Sequence, residues 1–265
     1  MVLPAFITWN ISPEIFRIGF IAIRWYGLLF ASGFVIGYYL MSNIYEKEKK
    51  PQKDLEALTI TMILGTVIGA RLGHCLFYDP IGYLSNPITI FKVWEGGLAS
   101  HGAALGILIS IWYYVRKRKN FTFLWVMDRI VIVVALAGFL IRLGNFFNSE
   151  IVGSATNVPW AIIFSRNDLI PRHPAQLYEA FCYLFIFIYL YLSYRKNKGE
   201  IPHGKFFGLF LILVFGARFI IEFFKDIQAP FEKGMPLDMG QLLSIPFILA
   251  GIYFLTRATK KKVKL

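Results

Sequence analysis

The chain has 265 residues, 57% of them hydrophobic, with 26 phenylalanines, a mean hydropathy of +0.56 and a formal net charge of +12. So apolar a composition leaves too little polar surface to cover a water-soluble globule of this size, and the chain reads as an all-α integral membrane protein. An outer-membrane barrel is excluded because its strands would alternate polar and apolar residues, whereas the apolar runs here are continuous.

In chain order, the first 17 residues, MVLPAFITWNISPEIFR, carry no basic stretch ahead of an apolar run and no small-residue cleavage site, so no removable signal peptide is expected. Seven apolar segments follow, at 18–41, 55–78, 98–115, 123–144, 176–194, 206–225 and 239–256. Each is long enough to cross a ~30 Å hydrocarbon core as a transmembrane helix. Four clusters lie on one side of these spans: YEKEKKPQKD, RKRKN, RKNKGEIPHGK and RATKKKVKL. They hold 17 of the 28 lysines and arginines. That asymmetry assigns this face to the cytoplasm and, with seven spans, places the N-terminus outside and the C-terminus inside. Anionic membrane lipids account for the positive charge, and no nucleic acid partner is called for.

The chain is read as one polytopic domain, 1–265. A small outer cap or loop at 145–174, between spans 4 and 5, is marked by Asn157, Pro159 and the Pro171–Pro174 stretch. Cys75 and Cys182 both fall inside spans, which disfavours a disulfide. No metal-ligand spacing and no nucleotide-binding loop is present, so no metal and no cofactor is expected.

Five arginines lie within the apolar spans: Arg24, Arg71, Arg129, Arg142 and Arg218. Arg129 follows Asp128 near an inner end, where snorkelling or local pairing suffices. The other four sit toward outer ends, on the order of 10 Å below the boundary for Arg24, Arg71 and Arg218 at ~1.5 Å rise per residue. Any one of them alone reads as a snorkelling or structural cation. Together they suit an anion at that depth, and the phosphate of a phospholipid is the natural candidate, because a guanidinium binds phosphate oxygens in pairs and stays charged. Helical spacing puts Arg71, His74 and Tyr78 on one face, and Arg218 with Glu222 on another. Glu222 reads equally as a neutraliser of Arg218 or as a substrate-orienting group. Arg142 and Asn145 are neighbours if the fourth helix extends that far.

The segment WEGGLASHGAALG opens the third span with a sharp re-entry at Gly96 and Gly97 and places His101 in the first helical turn. His101 reads as a general base beside an anion site or as a packing residue, and Gly102 and Gly106 as positions of close helix contact. His173, before Pro174, reads as a loop-fixing residue, and His203 as part of an inner basic loop.

These residues carry a resemblance. The chain resembles the bacterial prolipoprotein diacylglyceryl transferases, whose signature G-R-x-G-N-F-x-N-x-E-x-x-G is matched by Arg142, Gly144, Asn145, Phe146, Asn148, Glu150 and Gly153. IRWYG around Tyr26, GARLGH around Arg71, the His101 segment, RHPAQLYE around His173 and GARFIIEFF around Arg218 and Glu222 match in family order. Two positions depart: Ile141 stands where the signature has glycine, and Ala103 where a second glycine usually follows the histidine.

The resemblance implies transfer of the sn-1,2-diacylglyceryl group of phosphatidylglycerol to the lipobox cysteine of a prolipoprotein signal peptide. A thioether forms and glycerol phosphate leaves on the outer side of the bacterial cell membrane. It also implies roles. His101, Arg142 and Arg218 are the catalytic candidates, the arginines stabilising phosphate and His101 accepting the thiol proton. Tyr26, Arg71, Asn145, Glu150, Gly153 and Glu222 are the substrate-binding candidates. An anion or lipid transporter and a catalytically silent lipid-binding scaffold are the alternatives. Transport would favour polar residues continuing through the inner half, or internal repeats, and neither is evident.

Overall fold

A computed structural model describes residues 6–19, 21–92, 96–227, 232 and 234–262. Trp94 and Glu95 of the re-entry segment and the end of the basic tail lie outside them. The fold is dominated by helices: α1 (Trp25–Lys47), α2 (Gln52–Phe77), the short α3 (Pro80–Ser85), α4 (Ser100–Lys117), α5 (Phe123–Asn148), α6 (Ala175–Lys196), α7 (Lys205–Glu222) and α8 (Met239–Lys262). Among the described residues, five are long and apolar enough to cross a membrane: α1, α2, α5, α6 and α8 through Ala258. The chain is a multi-pass helical membrane protein. Predicted spans 98–115 and 206–225 correspond to α4 and α7, which have 18 residues each. They extend about 27 Å at ~1.5 Å per residue.

The first predicted span needs correction at its start. Residues Glu14–Ile18 (β2) and Ile21–Arg24 (β3) form an antiparallel hairpin, and helix begins only at Trp25. The turn uses Gly19 at φ +59°, a conformation glycine adopts without a steric penalty. Arg24 is therefore a strand residue, not an intramembrane helical arginine. Its guanidinium is 3.8 Å from Glu14, which also binds Arg17 at 2.8 Å.

The chain divides into two compact units, one comprising Met1–Met41 with Met127–Leu265 and the other Ser42–Val126. In the smaller unit, Gly65, Gly69 and Gly73 of α2 meet Gly102, Gly106 and Ser110 of α4. A Cβ on Gly69 would run into the Gly102 carbonyl and stand 2.9 Å from Gly106 Cα, so the two backbones touch because side chains are missing. At the other end of this unit, Tyr45, Leu55, Leu58, Ile111 and Tyr114 are almost wholly buried, and the Tyr45 and Tyr114 hydroxyls are 3.3 Å apart.

In the larger unit, Asp128 is fully buried and caps α7, accepting from the Gly204 N–H at 2.7 Å and the Phe207 N–H at 2.9 Å. These two bonds satisfy donors that a helix start leaves free. Arg129 is buried as well and donates to the Gly199 carbonyl at 3.0 Å. Beyond α5 the chain forms a three-stranded sheet in the order β1 (Ile7–Trp9), β4 (Ile162–Phe164), β5 (Pro171–Arg172), with β1 parallel to β4 and β5 antiparallel to it. A small core of Phe146, Ile162 and Phe164, packed by Trp9, Val152 and Leu177, joins this sheet to the ends of α5 and α6.

Candidate functional site

Helix α5 does persist beyond Arg142, ending at Asn148. Arg142 and Asn145 consequently share a face, and Arg142 Nη1 donates to Asn145 Oδ1 at 3.2 Å. Asn145 in turn donates to Glu150 Oε2 at 3.1 Å, while Asn148 donates to Glu150 Oε1 at 3.1 Å. Glu150 is reached by a turn in which both Ser149 (φ +56°) and Ile151 (φ +55°) adopt left-handed backbone. Such positions cost energy in residues with side chains and persist where surrounding contacts hold them. Here the hold is visible: Glu150 N–H donates to Asn145 O at 3.0 Å, and Gln176, fully buried, donates to Glu150 O at 2.6 Å. Tyr26 is brought beside this turn by Gly144, where a methyl group would come within 2.8 Å of the Tyr26 ring.

Arg142 also faces a carboxylate that sequence reasoning passed over. Its Nε is 2.8 Å from Glu179 Oε2, an ion pair rather than an aligned hydrogen bond, and the Glu179 side chain has no solvent exposure. Glu179 Oε1 lies 3.1 Å from Lys225 Nζ, and the same ammonium lies 2.9 Å from Glu222 Oε2. The four groups form a buried chain in the order Arg142, Glu179, Lys225, Glu222, with equal numbers of positive and negative charges. Tyr183, one turn beyond Glu179, lies within electrostatic reach of Arg142. Gly240, in the first turn of α8, lets that helix close on the Glu222 carboxylate, since any Cβ there would collide with it.

Arg218 lies one turn before Glu222 on α7 but does not pair with it. It is half-buried, within electrostatic reach of Tyr183, and forms no ion pair or hydrogen bond among the described residues. Glu222 is turned to Lys225 instead, so the i, i+4 spacing of Arg218 and Glu222 does not produce the pairing that it allowed.

Gly153 sits where three segments meet. Its N–H donates to His173 O at 2.9 Å, and its backbone bridges Lys225. A Cβ there would strike His173 and come within 2.6 Å of Phe224 O. The glycine thus lets the chain after α7 lie against the sheet, which fixes the backbone of Lys225. His173 is a loop residue, as expected, with Nδ1 3.0 Å from the Tyr178 hydroxyl, and burial lowers its pKa.

Arg71 and His101 belong to the smaller unit. Arg71 is buried, and its guanidinium donates to four backbone carbonyls: Thr89 and Gly96 at 2.5 Å, Ile90 at 2.8 Å and Gly97 at 3.2 Å. It stacks over Tyr83 as well. With its donors so engaged, Arg71 is a clamp on the backbone at 89–90 and 96–97, while Arg142 and Arg218 both lie within electrostatic reach of Tyr183. His101 is the second residue of α4, exposed, with its ring edge-on to Phe77 and stacked with Tyr78. His74 and Tyr78 stack at 5.1 Å, sharing a face as their spacing implies.

The residues that the sequence reading missed are Glu179, Tyr183 and Lys225. Glu179 carried a usable signal, an ionisable group inside an apolar helix. Lys225 carried a weaker one, following Glu222 by three residues.

A multi-pass helical membrane protein with a buried, hydrogen-bonded charge cluster and an unpaired arginine beside it is the class that the fold and the site define. A family model described as prolipoprotein diacylglyceryl transferase matches residues 13–257. A relative from Tolumonas auensis named phosphatidylglycerol–prolipoprotein diacylglyceryl transferase is 50% identical over 256 residues, 97% of this chain and 99% of the relative. Relatives of the same name from Chloroherpeton thalassium and Porphyromonas gingivalis are 50% and 45% identical, covering 97% and 99% of this chain and 96% and 98% of their own. The chain belongs to the prolipoprotein diacylglyceryl transferase family.

Proposed function

We propose that this protein transfers the sn-1,2-diacylglyceryl group of phosphatidylglycerol to the lipobox cysteine of prolipoproteins, the first step of bacterial lipoprotein maturation. Family membership over nearly the whole chain supports the reaction. The observation that ties it to residues is Arg218, half-buried beside an electrically balanced cluster and without an ion-pair partner among the described residues. A cation so placed is ready for an incoming anion, since no internal carboxylate competes for it.

In the reaction a carbon–sulfur bond forms at the glyceryl carbon and the carbon–oxygen bond to phosphate breaks. The electron pair departs on the phosphate oxygen, and glycerol phosphate is released. A thiol with pKa ~8.5 is only slightly ionised near neutrality, so its proton must go to a base, a role assigned to His101. Arg218 and Arg142 stabilise the departing phosphate as preorganised charges. Arg142 is aimed by Glu179, Asn145 and Tyr183. Tyr26, Asn145 and Glu150 orient the headgroup and ester oxygens, and Glu222 acts through Lys225. Gly153 serves by letting the backbone close around Lys225, and Arg71 by holding the backbone at 89–90 and 96–97 of its own unit.

The topology that fits this chemistry has seven spans, with α4 and α7 crossing alongside the five longer helices, the N-terminus outside and the C-terminus in the cytoplasm. The site then opens toward the outer leaflet of the bacterial cytoplasmic membrane. The concentration of 17 of 28 basic residues in four clusters supports that orientation.

The test is incubation of the purified protein in detergent with phosphatidylglycerol and a lipobox-cysteine peptide. A diacylglyceryl mass increment on the peptide, lost in Arg218→Ala, is the expected result. Folded protein that yields no increment would favour the transporter or the silent scaffold.

A further inference from the structure

Lys225 is a cation that the transfer reaction does not itself call for, yet it keeps only 9% of its full exposure and contacts two carboxylates. Removing an ammonium and two carboxylates from water is costly, and apolar residues of similar volume would fill the space at less expense. The backbone is built to put the lysine there. Ser154 N–H donates to Phe224 O at 2.9 Å, Asp226 N–H to Val152 O at 3.4 Å, and Gly153 bridges Lys225 itself. The segment following α7 is thereby fastened to the cap, and the Lys225 side chain is directed inward between α6 and α7.

Charge explains the arrangement. Glu179 holds Arg142 through one oxygen and Lys225 through the other, so a single carboxylate orients both cations. Without the ammonium, Glu179 and Glu222 would face Arg142 alone and the cluster would carry a net negative charge, which opposes a lipid phosphate. With the ammonium these four groups balance, and Arg218 has no ion-pair partner among the described residues.

Resting on the transferase reading above, we propose that Lys225 is a positioning residue for diacylglyceryl transfer. It fixes the carboxylate that aims Arg142 and cancels the second carboxylate, so that Glu222 does not draw on the charge that Arg142 and Arg218 offer the phosphate of the donor lipid.

The test compares Lys225→Met, Lys225→Gln and Lys225→Arg with the wild type, in detergent, by peptide lipidation and by the rise in unfolding temperature that inorganic phosphate produces. Loss of the charge raises KM for phosphatidylglycerol at least tenfold, lowers kcat less, and abolishes the phosphate-induced rise. Lys225→Arg restores KM to within threefold, which a purely structural lysine in so tight a space would not permit. Should Lys225→Met not fold, Lys225→Gln, which keeps an amide donor, carries the comparison. Wild-type KM and phosphate response in a folded Met or Gln variant would overturn the proposal, as would an Arg variant as impaired as Gln. A wild-type protein that responds to phosphate through Lys225 but transfers nothing would sink the transferase reading and, with it, the role in transfer, leaving Lys225 only the ordering of a phosphate site.

Discussion

Replacing Glu179 by glutamine preserves the shape of a fully buried side chain and deletes one charge from the middle of the cluster. The wild-type carboxylate lies 2.8 Å from Arg142 Nε and 3.1 Å from Lys225 Nζ. At an effective dielectric of ~20, each contact is worth about 5 to 6 kcal/mol of attraction. Desolvating the carboxylate offsets several kcal/mol of this, but in the variant the two cations stay buried and lose the charge between them. Breaking a buried pair in this way costs about 3–5 kcal/mol. If about 3–4 kcal/mol of that falls on the aim of Arg142 in the transition state, kcat/KM drops roughly 100- to 1000-fold. Lipidation of a lipobox peptide followed by mass spectrometry reads the rate, and thermal unfolding in detergent reads the remainder. Glu179→Asp, with the charge kept but drawn back by one methylene, falls between the two. A Glu179→Gln enzyme within threefold of wild-type kcat/KM would show that Arg142 is aimed by other contacts, and the assigned role of the cluster would fail.

The contact of α2 with α4 predicts that Gly69→Val lowers stability by about 1–3 kcal/mol, the usual cost of forcing volume into a packed interface, and this is measured as a reduced Tm. Arg71→Met removes the donors to four carbonyls and is expected to open the backbone at 89–90 and 96–97 to proteolysis well below Tm; unchanged digestion kinetics would contradict the clamp. The Arg172 guanidinium, hydrogen-bonded to Asp168 at 2.6 Å, holds that carboxyl below its ordinary pKa of 3.8 and leaves it ionised in the folded state. A carboxyl with a depressed folded pKa contributes stability that is present above 3.8 and lost as pH falls through the lower folded value. Asp168→Asn is therefore expected to lower stability near neutrality and to flatten the acid limb, the variant converging on the wild type at low pH.

Much of the helical framework was legible because burial in lipid imposes a local rule: about 20 apolar residues must be consecutive, and that is visible without knowing any contact. The seven apolar segments correspond in position to α1, α2 and α4–α8, five of which meet the span criterion. The rule failed at residues 18–24, where IGFIAIR is as apolar as a span but Ile21–Arg24 pairs with Glu14–Ile18 as a strand. Apolarity alone does not distinguish a half-exposed strand from the start of a helix.

The site divides along the same line. Arg142 and Asn145 were readable as a pair because their distance is set by one helix. The pairing of Arg142 with Glu179 has no local cause, and neither does the choice that Glu222 makes between Arg218, four residues before it, and Lys225, three residues after it. Each depends on α6 lying beside α5 and on the cap fastening the chain after α7, and charge pairing in a low-dielectric interior is decided by which helices adjoin. The sequence by itself determined the solvent in which the chain folds, its helices, and the family-matching polar groups within them. Only the tertiary structure decided which of those charges neutralise one another, and so that Arg218 is the arginine left without an ion-pair partner among the described residues.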